Sequence, residues 1–438
     1  MSRAALPIKA SWQPLCDALA AIDFESPSPE LGKLVAQSFE DAQIDTSHPR
    51  YFGVPHGAPS EAAIEGATLA ARHNPELASR HHAPFAVAAE RKLVGAFARK
   101  LYQRDGAGGI VTGGASEAVL TALLVALARK APSFQKKGLA AFQRPPRIYA
   151  SIDAHPSILK AVRVTGLGDE SVRWVTTDEE QRMSATALAQ SIGNDRRTAT
   201  PLLVVATAGT TTSGAIDPLA AIAEIAQRDD CFVHVDAAFG GMLSLTKRND
   251  ALAGIEVAHS VAFDPHKALA VPLGLGLLLL SEPELLERVF AVPARYVPRT
   301  KDEPWARSLP WSRGFRGLPL LMELSKSGFS GLRKAIERRL LLGEALRERL
   351  SAYGFQIVNR TPLPVVCFVD AANPSGKMAR YLTHLAVVAR KRAGAFVSLV
   401  RFADGSPALR ATITSDRTGS EDVVALVTAL VEARSAIP

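Results

Sequence analysis

The sequence predicts an α/β protein, a mostly parallel sheet covered by helices, followed by a smaller α+β unit. Three observations predict it. Between residues 147 and 281, short β-rich runs alternate with helical stretches. Those runs are apolar on both faces, as strands buried between two helix layers must be. Beyond a segment rich in proline and tryptophan, 292–311, the pattern changes to one long helical stretch and then short strands.

In chain order, residues 1–50 read as a helical arm ending at His48-Pro49, and the large unit is expected over 51–300. A helix at 116–130, entered through the glycine turn Thr112-Gly113-Gly114, opens the alternating region. Strands are expected at 147–151, 172–176, 202–207, 232–236, 260–263 and 276–280, with helices at 156–164, 184–191 and 218–228 between them. The last unit, 301–438, begins with a helical stretch over 317–353. Gly328-Phe329-Ser330-Gly331 interrupts it, because glycine is a poor helix former. Strands at 365–369, 396–401 and 409–412 and a helix at 420–433 complete it. Internal repeats and low-complexity tracts are absent.

Composition narrows the function classes. A chain of 438 residues exceeds one simple core, and 47% hydrophobic with 21% charged residues is ordinary for a soluble globular protein. The longest apolar run, 269–280, has 12 residues and contains Pro272, Gly274 and Gly276, too short to span a bilayer. Residues 1–10 lack a basic segment followed by an apolar one, so no secretory signal is expected. Three scattered cysteines, Cys16, Cys231 and Cys367, argue against a disulfide framework or a metal site. The cytoplasm is the expected compartment. A net charge of +8 raises nucleic acid as a partner, but the basic residues are dispersed and their longest unbroken run is Arg390-Lys391-Arg392. The stretch 333–349 interleaves its basic residues with Leu and Glu, which is the wet face of an amphipathic helix. Neither nucleic acid nor membrane is expected as a partner.

The chemistry is carried by Lys267, in Asp264-Pro265-His266-Lys267. It follows the apolar Val261-Ala262-Phe263 and precedes the glycine-punctuated run 272–280. A lysine in such a setting needs a partner or a covalent role. Asp236 closes the earlier apolar run Cys231-Phe232-Val233-His234-Val235. A carboxylate closing one buried strand and a lysine following another suit pyridoxal phosphate: the lysine forms the Schiff base and the carboxylate keeps the pyridine nitrogen protonated.

Four further segments fit around this pair. Thr112 to Ala118 is a glycine turn entering a helix, where free N–H groups and the Ser116 hydroxyl suit a phosphate, or simply cap the helix. Ala154-His155-Pro156 places an imidazole after a strand, either stacked on a cofactor ring or merely near a helix start. The loop 208–218, with Gly209-Thr210-Thr211, offers hydroxyls to a cofactor's phenolic oxygen or phosphate, while Asp217 caps the following helix. Strand alternation puts Ala238 on the same face as Asp236, flat enough to lie under a planar ring.

The order of these pieces resembles the group II pyridoxal-phosphate-dependent amino acid decarboxylases, which include glutamate, aromatic amino acid and diaminobutyrate decarboxylases. The likeness runs from about Tyr51 to Val431. It implies the fold type I architecture of the aspartate aminotransferase superfamily, with a seven-stranded, mostly parallel sheet. It also implies a homodimer with shared active sites. By matching position, Lys267 is the Schiff-base lysine, His266 its phosphate-side neighbour and Asp236 the partner of the pyridine nitrogen. Ala238 and His155 lie on opposite ring faces, Ala115 and Ser116 hold the phosphate, and Thr210 belongs to the loop facing the cofactor. Arg410 matches a carboxyl-terminal arginine that binds a substrate carboxylate in some members. His82, in His82-Ala83-Pro84, matches a segment that builds part of the substrate pocket. The implied reaction is loss of CO2 from an L-amino acid, followed by protonation at Cα.

Three departures from the family pattern bear on the outcome. Ala268 stands where many members have tryptophan, and Ala118-Val119 where many end the phosphate motif in asparagine. The loop from Tyr296 to Trp311 carries Trp305 and Trp311 but no tyrosine after Tyr296. Family decarboxylases carry there a tyrosine that returns the proton, so His155 or Tyr296 is the substitute donor. Related enzymes lacking that tyrosine become oxidative decarboxylating deaminases, which makes an oxidative outcome, or another reaction of the carbanion in a biosynthetic pathway, the alternative. A catalytically silent cofactor-binding protein is the remote one, and the presence of Lys267, Asp236 and His155 argues against it.

Overall fold

The computed structural model describes residues 13–22, 25–41, 44–295, 303–373, 375 and 377–435. Seven strands build the larger sheet: β1 (Gly108–Thr112), β2 (Pro146–Ser151), β3 (Val172–Val175), β4 (Thr200–Thr207), β5 (Phe232–Asp236), β6 (Ser260–Phe263) and β7 (Gly276–Leu280). Their spatial order is β1-β7-β6-β5-β4-β2-β3. Neighbours from β6 through β5, β4 and β2 to β3 are parallel, and β7 runs antiparallel to both β6 and β1.

Two-sided burial explains the apolar runs. Along β5, Phe232 packs with Ala262, Leu278 and the helix residues Ala118, Val119 and Ala122 on one face. Val233 and Val235 pack with Phe97, Leu243 and Phe263 on the other. Six of the seven strands lie where the sequence predicts them. The seventh, β1, was not expected, because Gly108 and Gly109 carry no side chain to signal a strand. Its register comes from β7, with Gly108 opposite Leu280 and Thr112 opposite Gly276.

Four antiparallel strands form a second sheet: β8 (Phe355–Ile357), β9 (Val365–Asp370), β10 (Ser398–Arg401) and β11 (Pro407–Thr412), in the order β10-β11-β9-β8. The long helix Leu318–Ala352 and the helices Ala379–Ala393 and Ser420–Ser435 accompany it. The expected interruption of the long helix is a kink at Gly328, whose φ of 57° and ψ of 178° leave the helical region. Phe396 does not join β10; it bridges Tyr51, on which its ring stacks at 5.3 Å.

Two helices, Gln13–Ala20 and Pro29–Asp41, occupy the expected helical arm. The chain then lies against the second sheet: the Phe52 N–H donates to the Phe396 carbonyl (2.8 Å) and the Thr412 N–H to the Phe52 carbonyl (2.9 Å). Asp217 corrects one expectation. It does not cap the helix Leu219–Arg228, which starts after Pro218 without a side-chain cap. Its buried carboxylate instead accepts the Met183 and Thr207 N–H groups, both at 2.7 Å, and burial pushes its pKa up to about 6. Among the described residues no helix is long and apolar enough to cross a membrane.

Candidate active site

Parallel strands deliver their last residues to one edge of a sheet, where side chains from neighbouring strands converge. Here β4 ends at Thr207 and β5 at Asp236, paired in register, and β6 leads directly into Asp264. A cavity of about 880 Å³ opens at this edge. Lys267, Asp236, His155, Ala115, Ser116, Thr210, Ala238 and His266 all line it. Residues far apart in sequence are thereby brought to one place.

Lys267 sits on the single turn Pro265–Ala268, with Nζ 3.1 Å from Asp264 Oδ2. Asp264 is 2% exposed, and its Oδ1 has no hydrogen-bond partner among the described residues. Burial raises the Asp264 pKa against the pull of Lys267 and His266. His266 shares a 2.6 Å hydrogen bond between Nδ1 and the Leu275 carbonyl. On the floor, Asp236 Oδ1 accepts the Ala238 N–H at 3.1 Å, and the carboxylate makes no other hydrogen bond to the described residues. His155 accepts the Ser157 N–H at Nδ1 (3.2 Å), so the neutral ring carries its proton on Nε2. Burial lowers the His155 pKa; Lys267 lowers it further and Asp236 opposes the shift.

At the other end, the helix Ala115–Lys130 starts from Gly114 (φ 146°) without a side-chain cap. The N–H groups of Ala115 and Ser116 have no acceptor in the described chain, as the first turn of a helix requires unless something external fills it. Glu117 folds back so that Oε2 accepts the Gly113 N–H at 2.7 Å. Thr210 uses its hydroxyl inside its own loop, 2.9 Å from Ser213 Oγ and accepting the Ala215 N–H at 3.1 Å. Beside it, the Thr207 hydroxyl is buried without a partner among the described residues.

Arg410 and His82 are not among the residues lining this cavity. Arg410, on β11, is buried behind the threonine loop and donates from Nη1 to the Thr211 carbonyl. His82 is exposed, with Nδ1 2.9 Å from Ser79 Oγ. Tyr296 lies outside the described residues. Of the tryptophans that follow it, Trp305 is buried and stacks on Trp311 at 4.8 Å.

Sequence reasoning missed one wall altogether. Val54, Pro55, His56, Leu273 and Thr412 line the cavity, drawn from three distant parts of the chain. His56 has a buried Nδ1 without a partner among the described residues, and burial, aided by His266, lowers its pKa. Thr207 could have been found, since it ends a predicted strand; nothing near His56 signals a site.

The arrangement fits pyridoxal phosphate on its own observations. A buried carboxylate with spare acceptor capacity, an amine opposite it and a helix start with open N–H groups answer the three polar ends of that molecule. Comparison with known proteins agrees. The model of the pyridoxal-dependent decarboxylase conserved domain matches residues 41–370. L-2,4-diaminobutyrate decarboxylase of Rhizobium meliloti (strain 1021) is 29% identical over 92% of this chain and 82% of its own. Cysteine sulfinic acid decarboxylase of Homo sapiens is 32% identical over 74% of this chain and 68% of its own. Among solved structures, mouse CSAD superposes with a TM-score of 0.89 at 26% identity, covering 97% of this chain and 92% of that one.

Proposed function

Because this chain belongs to the pyridoxal-dependent decarboxylase family, whose model spans residues 41–370, we propose that the cavity around Lys267 is where an L-amino acid loses its carboxylate. The chain is a pyridoxal-phosphate-dependent amino acid decarboxylase, a carboxy-lyase with the fold type I architecture. Bound there, the cofactor supplies an aldehyde that captures the substrate amine and a pyridine ring that accepts the electron pair left by departing CO2.

In this reading the protein's own groups divide the work. Lys267 Nζ holds the aldehyde carbon between turnovers, and Asp264, 3.1 Å away, stabilises the ammonium whenever the amine is released. Asp236 would keep the ring nitrogen protonated, and Ala238 and His155 would hold the ring from its two sides. Ala115 and Ser116 bind the phosphate at the helix start, where N–H groups and helix dipole both favour an anion, and His266 supports them. The unpartnered Thr207 hydroxyl, rather than that of Thr210, bonds the phenolic side, while Thr210 shapes the loop. His155, with its proton on Nε2, would be the group to return a proton to the substrate carbon. Arg410 reaches a substrate carboxylate only by releasing the Thr211 carbonyl, and otherwise braces that loop.

Residues 51–300 form the cofactor-holding unit in this reading, 301–438 the smaller unit beside it and 1–50 the arm. The protein is a cytoplasmic homodimer whose second copy covers the cavity mouth and brings His82 to it. The motive is that Val54 and Leu273 line the cavity yet are 50% and 71% exposed on one chain. Substrates of the kind named for the relatives, L-2,4-diaminobutyrate and cysteine sulfinate, come first in a screen.

The convergence of Lys267, Asp236 and His155 on one cavity carries the proposal. Purified protein is expected to show a visible absorption band from lysine-linked cofactor, which Lys267→Ala abolishes. An amino acid scan, read by CO2 release and product mass, names the substrate. A colourless protein that takes up no cofactor would overturn the reading. The lack of tyrosine between 297 and 352 favours a second outcome, in which oxygen takes the electrons before the carbon is protonated. Oxygen uptake and peroxide measured beside CO2 separate the two.

A further inference from the structure

We infer that a second cavity, between the helix Pro84–Tyr102 and the sheet-edge strand β1, is a binding site for a compact multivalent anion. It encloses about 450 Å³ and, among the described residues, shares no lining residue with the cavity around Lys267. Arg80, Arg91, Lys92, Arg99 and Arg307 line it, and among the described residues no Asp or Glu does.

Charge alone would be a weak argument, since surface cations usually find carboxylates or water. Two further observations direct it inward. Arg307 is neutralised by Glu287 (2.9 Å) and Arg91 has a partner of its own, but the side chains of Arg80, Lys92 and Arg99 have no ion-pair or hydrogen-bond partner among the described residues. Several cations around one hollow repel one another until an anion enters. The second observation is Gly95, in the middle of the helix and on the same face as Arg91 and Arg99, one turn from each. A mid-helix glycine costs about 1 kcal/mol against alanine. No packing demands it here: an added Cβ would meet only Arg99 Nη1, at an ordinary 3.7 Å. Its missing side chain keeps the floor between the two arginines open. The opposite wall is backbone, Gly106 to Gly109, where β1 has a strand neighbour on one side only.

The ligand chemistry is therefore several negative charges on a small frame, either a phosphorylated metabolite or a polycarboxylate. Calorimetric titration of the holoenzyme at low ionic strength, first with pyrophosphate and then with citrate, distinguishes the two sources; bound cofactor keeps the phosphate turn filled. Saturable binding at one site per chain is expected, weakened about tenfold or more in Lys92→Gln/Arg99→Gln and unchanged in the surface control Arg392→Gln. Gly95→Ala provides the sharper test: thermal stability should hold or rise while binding weakens. Non-saturating heats, or equal binding in the double variant and the control, would show diffuse electrostatics and overturn the site. Binding of polyglutamate but of neither small anion would overturn it too, in favour of an acidic protein partner.

Discussion

Gly276 governs how deep the phosphate turn lies against the sheet. A Cβ there would fall 2.6 Å from Gly114 Cα and 2.8 Å from Asp264 Oδ1, so a methyl group must displace either the turn or the lysine's carboxylate partner. Gly276→Ala is expected to leave the protein folded and to weaken cofactor binding by about tenfold or more, measured by titrating apoprotein with pyridoxal phosphate. His234 makes a pH argument. It is fully buried, hydrogen-bonded through Nδ1 to Ser260 Oγ (2.8 Å), and burial lowers its pKa to about 4. The folded state therefore refuses a proton that the unfolded chain accepts below the ordinary value of 6.5. Its share of stability is complete above that value and is lost as pH falls toward 4, on the order of 3 kcal/mol in all. Chemical denaturation of His234→Asn beside the parent should show their difference shrinking over that interval; a pH-independent difference would contradict the assignment. Lys267, Asp236 and His155 were legible because each sits at the end of an apolar run, where chain order already implies convergence. Gly276 and His56 were not, since their importance arises from backbone and side chains brought in from elsewhere.

The helix Pro84–Tyr102 is fastened at its amino-terminal half by the segment that returns from the loop before Trp311. Arg313 forms a two-pronged pair with Glu90 (2.9 and 2.5 Å) whose side chains are only 7% and 6% exposed, and its carbonyl accepts the Leu77 N–H. A buried pair of this kind contributes little net stability as a pair, but losing one partner strands the other charge. Glu90→Ala is expected to cost about 3–5 kcal/mol in urea unfolding, whereas Glu90→Leu combined with Arg313→Met should cost far less. If the single and double variants lose equal stability, the charges matter only through packing. Among the elements, the parallel strands were readable because helices cover both their faces. Others were not. β1 begins with two glycines, β8 is three residues long, the helix Ala379–Ala393 is masked by the basic run at its end, and the helices Glu61–His73 and Pro84–Tyr102 lie ahead of the alternating pattern.

At the scale of the molecule, the cavity belongs to no single sheet. Asp236 and Lys267 come from the larger sheet and the turn after it, Thr412 and Val365 from the smaller sheet, and Val54 to His56 from the segment that follows the arm. The buried Arg339 ties them together, donating to the Ala268 carbonyl beside Lys267 (2.6 Å) and to the Thr414 carbonyl (2.9 Å). Covering the exposed Leu273 and Val54 is the proposed task of a second copy. Sedimentation at micromolar concentration is expected to give twice the chain mass of 46.6 kDa, and Leu273→Glu to shift the protein toward monomer with reduced turnover. A fully active monomer would refute the dimer.

Phe52 receives its hydrogen bonds from, and gives them to, Thr412 and Phe396, so one cavity wall is translated long before its support. At ordinary elongation rates the interval is on the order of tens of seconds. For the later part of that time a nascent chain on the ribosome already contains Lys267 but has no finished pocket in which a cofactor could stay. Loading must therefore wait for Phe396 and Thr412, and until then chaperones and proteases meet this protein in its cofactor-free form, before any vitamin-derived ligand can protect it.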